Sequence, residues 1–98
     1  MLGGSDLIAF VAATDMARTK TFYGDIMGLA LKADDGFALV FDCNGTMLRV
    51  SKVQKATVAP YTVLGWSVRD IRGKIQDLGK KGVVFERFQG FPQDDLGA

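Results

Sequence analysis

Few side chains in this sequence can carry chemistry, and none of them is a histidine. The single cysteine, Cys43, would act as a nucleophile only beside a general base, and without an imidazole we interpret it as an incidental thiol. Arg49 is the more informative residue, because its planar guanidinium can bind the carboxylate or phosphate of a ligand through parallel hydrogen bonds. Alternatively, Arg49 pairs with Asp42 or extends into solvent. The sequence leaves both interpretations of Arg49 open.

Other polar groups have simpler structural explanations. Tyr23 could donate a hydrogen bond to a ligand, but a helical tyrosine beside Phe22 is typically a partly buried packing residue with its hydroxyl at the surface. Asp34 and Asp35 could act as an acid-base pair. They precede Gly36 in a predicted turn, however, where aspartates favour hydrogen bonds to the local backbone. We therefore assign these residues to packing and to the turn.

Length and composition narrow the classes of protein. A chain of 98 residues with 48% hydrophobic residues predicts one compact domain. A formal net charge of +1 gives no broad basic field, which argues against nucleic acid or an anionic membrane as a partner. No apolar run approaches the roughly 20 residues that cross a bilayer, and residues 1–6 lack the features of a signal peptide. With one cysteine and no internal disulfide, the default location is the cytoplasm.

One short pattern occurs twice: an apolar strand ends at an aspartate, and the aspartate begins a helix. The first copy has Asp15 at this junction and ends its helix at Gly28, and the second has Asp70 and Gly82. Between the copies, the polar segment 53–60 ends in proline and is interpreted as a linker. The predicted strands are 7–14, 29–32, 37–42, 46–52, 62–68 and 83–88, and the predicted helices are 16–27 and 71–81.

The dipeptide Asn44-Gly45 predicts a two-residue hairpin turn, because both turn positions favour positive φ. The predicted pairs across this hairpin are Asp42 with Met47, Val40 with Arg49, and Ala38 with Ser51. Because side chains alternate along a strand, the opposite face would pack beneath the helices. That face would carry Phe37, Leu39, Phe41, Leu48 and Val50. The same alternation in the second copy predicts that Trp66 lies in the core.

A strand-helix-strand-strand-strand unit used twice, with an aspartate at each strand-to-helix junction, resembles the vicinal oxygen chelate superfamily. That superfamily includes glyoxalases, bleomycin-resistance proteins and extradiol dioxygenases. The Phe22-Tyr23 pair and the Met27-Gly28-Leu29 ending resemble its first-module signature, and Gly65 to Asp70 resembles the entry to its second module. The resemblance implies an α+β fold, with paired βαβββ modules forming a cupped mixed sheet and helices on the outer face. The single domain, 1–98, would comprise module one at about 5–52 and an incomplete module two at 61–98.

The resemblance also implies where a metal would be held. In metal-using members, histidines and glutamates of the paired modules bind a divalent cation in the cup. The histidine positions match Ile8 and Val63, the first glutamate position matches Arg49, and the second would lie beyond Ala98. The three matched residues cannot bind a divalent cation, so we expect neither a metal nor another cofactor.

The cup would instead be small and mostly apolar, with Arg49 as its permanent charge. The residues expected to line it are Ile8, Phe10, Val40, Met47, Arg49, Val63 and Ser67. This lining favours a metal-free module that binds or sequesters a hydrophobic or anionic small molecule, much as bleomycin-resistance proteins resemble metal-free relatives of glyoxalase. The alternative is a lyase, isomerase or dioxygenase of the superfamily, with metal ligands from beyond Ala98 or from a partner chain.

The incomplete second module predicts a protein partner. An open sheet edge and an apolar concave face would remain exposed in a monomer, and proteins avoid such exposure by pairing or by swapping elements. We therefore expect a homodimer, with or without swapped elements.

Overall fold

A computed structural model describes residues 1–86 and residue 95 of the chain. The chain divides into two compact units, Met1–Gly65 and the part from Trp66 onward. The first unit contains every strand that the described residues form, and the second contains a helix. The two units are therefore treated one at a time.

The first unit is a complete βαβββ module. Its elements are β1 (Ile8–Ala13), α1 (Met16–Thr19) followed directly by a π-helical segment (Lys20–Ile26), β2 (Ala30–Asp34), β3 (Ala38–Cys43) and β4 (Thr46–Lys52). The strands form one sheet in the order β1-β4-β3-β2, in which β1 runs parallel to β4 and the other neighbours are antiparallel. The predicted α+β class and the first βαβββ module are confirmed.

The β3–β4 hairpin has the predicted turn and register. Asn44 and Gly45 both have positive φ, at 50° and 88°, as a turn of this kind requires. The strand pairs are Asp42 with Met47, Val40 with Arg49, and Ala38 with Ser51. This register places one alternating set of side chains on each face of the sheet.

The core lies on one face of the sheet, against the helical segment. Its fully or almost fully buried side chains are Leu39, Phe41, Leu48 and Val50, as the alternation predicts. The prediction for Phe37 is wrong, because this residue precedes β3 and its side chain is 78% exposed. Strand alternation applies only where the residue is part of the ladder, and Phe37 lies in the turn before it.

The helix after Asp15 begins as predicted and changes its winding after one turn. Asp15 caps it by accepting a hydrogen bond from the Arg18 backbone N–H at 3.1 Å. The Thr19 and Thr21 hydroxyls donate to backbone carbonyls four residues earlier, and such bonds compete with regular helical bonding. The wider π-helical winding follows at once and ends before Gly28, whose φ of 81° suits a glycine at a helix end.

The predicted strand 62–68 is not formed. Residues 62–69 make no strand ladder, and Val63 is 64% exposed. Leu64 packs against the core of the first unit instead. A strand needs a hydrogen-bonded neighbour, and alternating apolar residues do not supply one. Trp66 is exposed rather than in the core, so that prediction is also wrong.

The predicted strand 83–88 is also not formed in its described part, residues 83–86. Residues 87 and 88 lie outside the described residues. Val84 is 87% exposed. Apolar, β-branched residues favour a strand only where a neighbouring strand can pair with them.

The second unit contains the predicted helix, α2 (Ile71–Lys80). Asp70 caps it by accepting a hydrogen bond from the Gly73 backbone N–H at 3.0 Å. Ile75 is buried, whereas Ile71 is exposed. Among the described residues, no helix is long and apolar enough to cross a membrane.

Two phenylalanines test the position of the core. Phe41→Ala should reduce the free energy of unfolding by about 3–5 kcal/mol, because it removes a fully buried ring and leaves a cavity. Phe37→Ala is the matched control and should change it by less than about 0.5 kcal/mol, since its ring is mostly in solvent. Urea denaturation measures both. Equal losses would place Phe37 in the core after all.

Candidate functional site

The face of the sheet opposite the core is the candidate site, and we call it the open face. It carries alternate residues of three strands, namely Ile8, Phe10 and Ala12 of β1, Met47, Arg49 and Ser51 of β4, and Ala38, Val40 and Asp42 of β3. Phe10 is 65% exposed, and Ile8 and Met47 are also exposed. The open face is thus a mainly apolar surface that is in contact with solvent at Ile8, Phe10 and Met47, whereas Ala38 at its other side is buried.

Arg49 lies in the middle of this surface. In the parallel ladder it pairs with Phe10, and in the antiparallel ladder it pairs with Val40. Neighbouring strands lie about 4.8 Å apart, so Arg49 is flanked on the open face by an aromatic residue, Phe10, and an aliphatic one, Val40. The arrangement combines one cation with apolar surface on both sides.

The ion-pair partner of Arg49 is Asp35, not the Asp42 considered from the sequence. The Arg49 Nη2 atom lies 3.9 Å from the Asp35 Oδ2 atom, which is too long for a hydrogen bond. The Arg49 side chain is 37% exposed, so it is neither buried nor fully extended into water. Within the described part of the chain, the guanidinium makes no hydrogen bond, and its N–H donors remain available to a ligand.

Asp34 and Asp35 form the predicted turn between β2 and β3. Asp34 accepts a hydrogen bond from the Gly36 backbone N–H at 3.0 Å. One oxygen of Asp35 accepts from the backbone N–H groups of Phe37 and Ala38, at 2.9 and 2.8 Å. These bonds are the local backbone bonds expected of aspartates in a turn.

Each of these two carboxylates also faces a cation. The Asp34 carboxylate lies 2.7 Å from the Lys20 ammonium. The hydrogen bond from Lys20, and then that from the Gly36 N–H, lower the pKa of Asp34. For Asp35, the two backbone hydrogen bonds are the main cause of a lowered pKa, and the charge of Arg49 adds to it. Both groups therefore remain ionised at neutral pH.

The structure brings five of the seven predicted pocket residues onto the open face. Those five are Ile8, Phe10, Val40, Met47 and Arg49. Val63 and Ser67 lie in residues 62–69, which form no strand. They share no sheet face with the others, because the strand on which their prediction depended is not formed.

Sequence reasoning missed Asp35 as a neighbour of Arg49. The strand register shows why the two residues are close. Ala33 of β2 pairs with Val40 of β3, and Val40 pairs with Arg49 of β4. Asp35 follows Ala33 by two residues, just beyond the end of β2. The β2–β3 pairing contains a register shift between Leu31 and Ala33, which strand alternation alone does not reveal.

Tyr23 and Cys43 do not belong to the open face site. Tyr23 packs beside Phe22 and Phe41, with ring centroids 5.0 and 5.8 Å apart respectively, and burial raises the pKa of its hydroxyl. This is the packing role expected from the sequence. Cys43 is a partly buried thiol at the end of β3.

The donor set of the open face does not fit the divalent metal that the resemblance noted in the sequence would place here. Ile8 offers an alkyl group and Arg49 a permanent cation at the positions that the resemblance matched to a histidine and a glutamate. Among the described residues, no group of three histidine, cysteine, aspartate or glutamate side chains is placed to hold a metal ion. No chemical step is therefore assigned to a metal on this face.

Solved structures share the fold. A glyoxalase/bleomycin resistance protein/dioxygenase from Alicyclobacillus acidocaldarius superposes with a TM-score of 0.66 at 15% identity, over 90% of this chain and 75% of its own. A putative glyoxalase family protein from Bacillus anthracis gives a TM-score of 0.66 at 20% identity, over 99% of this chain and 90% of its own. No protein-family model and no curated protein matches the sequence. The likeness confirms the fold that the sequence motifs suggested.

The turn aspartates give a prediction about titration. In an NMR titration of carboxyl carbons, Asp34 and Asp35 should both titrate below 3.8, the ordinary value for the side chain. Lys20→Ala should raise the pKa of Asp34, because Lys20 is the main cause of its depression. Arg49→Ala should raise the pKa of Asp35 only slightly, because backbone hydrogen bonds dominate there.

The same depression fixes the direction of the stability change. A carboxyl group with a lower pKa in the folded state stabilises the fold at pH above its unfolded value, and this contribution is lost as the pH falls through the folded value. The loss should therefore occur below pH 3.8. Asp35→Asn should make thermal stability less dependent on pH in that range. An unchanged pH profile would contradict the assigned hydrogen bonds.

Proposed function

We propose that this chain, which has the fold of glyoxalase/bleomycin resistance proteins, is a metal-free module that binds a small apolar molecule carrying an anionic group. The open face is the binding surface, and Arg49 binds the anion. The observation that carries the proposal is the placement of Arg49, with unused N–H donors, between Phe10 and Val40 on an exposed apolar sheet face.

The apolar part of the ligand gains from contact with β1 and β4. Phe10, Ile8 and Met47 are all exposed and share the open face. Burying one such side chain contributes roughly 1.5–3 kcal/mol relative to exposure. A flat aromatic or aliphatic ligand covers several of them at once, so this surface supplies most of the binding free energy.

The anionic group of the ligand is recognised by charge and geometry. A guanidinium can donate two parallel hydrogen bonds to one carboxylate, and hydrogen bonds between ions are about twice as strong as neutral ones. The apolar neighbours of Arg49 exclude water from one side of that contact once a ligand is seated. Selectivity for anions over neutral analogues is the consequence.

Binding of matched ligands tests the role of Arg49. Isothermal titration with 2-naphthoate and its neutral analogue 2-naphthamide should show that Arg49→Ala weakens naphthoate binding about tenfold or more, as expected for a lost charge-assisted hydrogen bond. Naphthamide binding should change little. Arg18→Ala is the matched control, because it removes the same charge from α1 and should leave both affinities unchanged.

Equal losses for the two ligands would show that Arg49 does not bind the anion. The metal-free character is checked on the same preparations, purified without chelator. Elemental analysis should give far less than one divalent metal ion per chain. Near-stoichiometric zinc, nickel, iron or manganese would favour the alternative, a lyase, isomerase or dioxygenase with ligands supplied from outside the described residues.

We also propose that the working form is a cytoplasmic homodimer. β1 is an edge strand of the sheet formed by the described residues, and the exposed side chain of Phe10 lies on it. Natural proteins cover exposed strand edges and apolar patches of this kind. A second copy of the chain provides a cover with the same chemistry.

Sedimentation velocity tests the dimer. Over a hundredfold range of protein concentration, the sedimentation coefficient should rise from the monomer to the dimer value or remain at the dimer value. Replacing Phe10 with Asp introduces a charge beside the β1 edge and should shift the protein towards monomer. A wild-type chain that stays monomeric at every concentration would contradict the proposal.

A further inference from the structure

We propose that Asp35 is an internal counter-ion of Arg49 that sets the charge selectivity of the open face, so that the site accepts ligands with one negative charge and disfavours those with two. This inference rests on the proposed function, since it concerns the same guanidinium. It assigns a specificity role to a turn residue outside the face itself.

The two oxygens of Asp35 have different environments. Oδ1 accepts hydrogen bonds from the backbone N–H groups of Phe37 and Ala38, at 2.9 and 2.8 Å. Oδ2 lies 3.9 Å from Nη2 of Arg49. The backbone bonds hold the carboxylate in one orientation, so its second oxygen is directed at the guanidinium without depending on Arg49 for its position.

The contact between Asp35 and Arg49 is loose enough to be displaced. Its length exceeds that of a hydrogen bond, and the two side chains are 37% and 59% exposed. Ion pairs of this exposure contribute little to stability, because water and salt screen them. The guanidinium can therefore turn its N–H donors to a ligand carboxylate without breaking a strong bond.

Asp35 remains charged and in place when that ligand binds. A ligand with one carboxylate then completes a triad in which the Arg49 cation lies between two anions. A second ligand carboxylate would approach Asp35 or Asp42, which is an exposed carboxylate on the open face. Two carboxylates held close together repel each other, and Arg49 is the one cation that β1, β3 and β4 place on the open face. The site therefore discriminates by ligand charge as well as by shape.

The neighbouring turn residue provides a matched control. Asp34 also accepts a backbone hydrogen bond in the turn, from Gly36. Its ion pair, however, is with Lys20 at 2.7 Å. Asp34→Asn and Asp35→Asn thus remove the same charge from adjacent positions, and both variants keep a side-chain oxygen for the turn. Only Asp35→Asn removes the charge that faces Arg49.

The experiment compares three naphthalene ligands by isothermal titration: 2-naphthamide, 2-naphthoate and naphthalene-2,3-dicarboxylate. The wild-type chain should bind the monocarboxylate more tightly than the dicarboxylate. Asp35→Asn should strengthen binding of both acids, and of the dicarboxylate about three- to tenfold more. Asp34→Asn should leave the ratio of the two affinities within about twofold of wild type, and naphthamide binding should not respond to either change.

The outcomes separate the two proposals. If Arg49→Ala weakens naphthoate binding but Asp35→Asn leaves the affinity ratio unchanged, the counter-ion role is wrong and the binding function stands. If Arg49→Ala has no selective effect on the acids, both proposals fail. Asp35→Ser, whose hydroxyl can accept a turn hydrogen bond, replaces Asp35→Asn if the latter does not fold, and it should change the ratio in the same direction.

Discussion

The register of the β3–β4 hairpin is the constraint on which the rest of the structure depends. Asn44 and Gly45 adopt the positive φ values that a two-residue turn requires, and this places Val40 opposite Arg49. A shift of one residue would move every side chain of a strand to the other face. Either Leu39 and Phe41 of β3 would then face solvent, or Arg49 of β4 would be directed into the core. The hairpin therefore decides both where the core lies and where the cation is presented.

The same register determines what each of the two faces of the sheet presents. The buried face packs Leu39, Phe41, Leu48 and Val50 beneath the helical segment, and this burial supplies the driving force for folding. The open face retains large apolar side chains in solvent beside Arg49. Exposed apolar surface of this kind is typical of binding surfaces rather than of inert ones. The scaffold has the fold of glyoxalase/bleomycin resistance proteins, and its open face combines apolar side chains with one guanidinium.

Sequence reasoning succeeded where an interaction is local. The caps at Asp15 and Asp70, the turn at Asp34-Asp35 and the hairpin at Asn44-Gly45 each depend on bonds between residues a few positions apart. It failed where an element needs a distant partner. The segment 62–68 has the alternation of a strand but no neighbouring ladder among the described residues, and the exposure of Trp66 follows from that.

By itself, the sequence determined the first βαβββ module, the pairing of Val40 with Arg49 and the chemistry of the candidate anion site, because these follow from turn geometry, alternation and residue type. Only the tertiary structure decided that Asp35 faces Arg49. Asp35 lies in the turn after β2, whereas Arg49 lies on β4, two strands from β2 in the sheet. The β2–β3 pairing contains a register shift between Leu31 and Ala33. Hydrogen bonds to the backbone fix the Asp35 carboxylate, and the packing of three strands then determines which cation it meets.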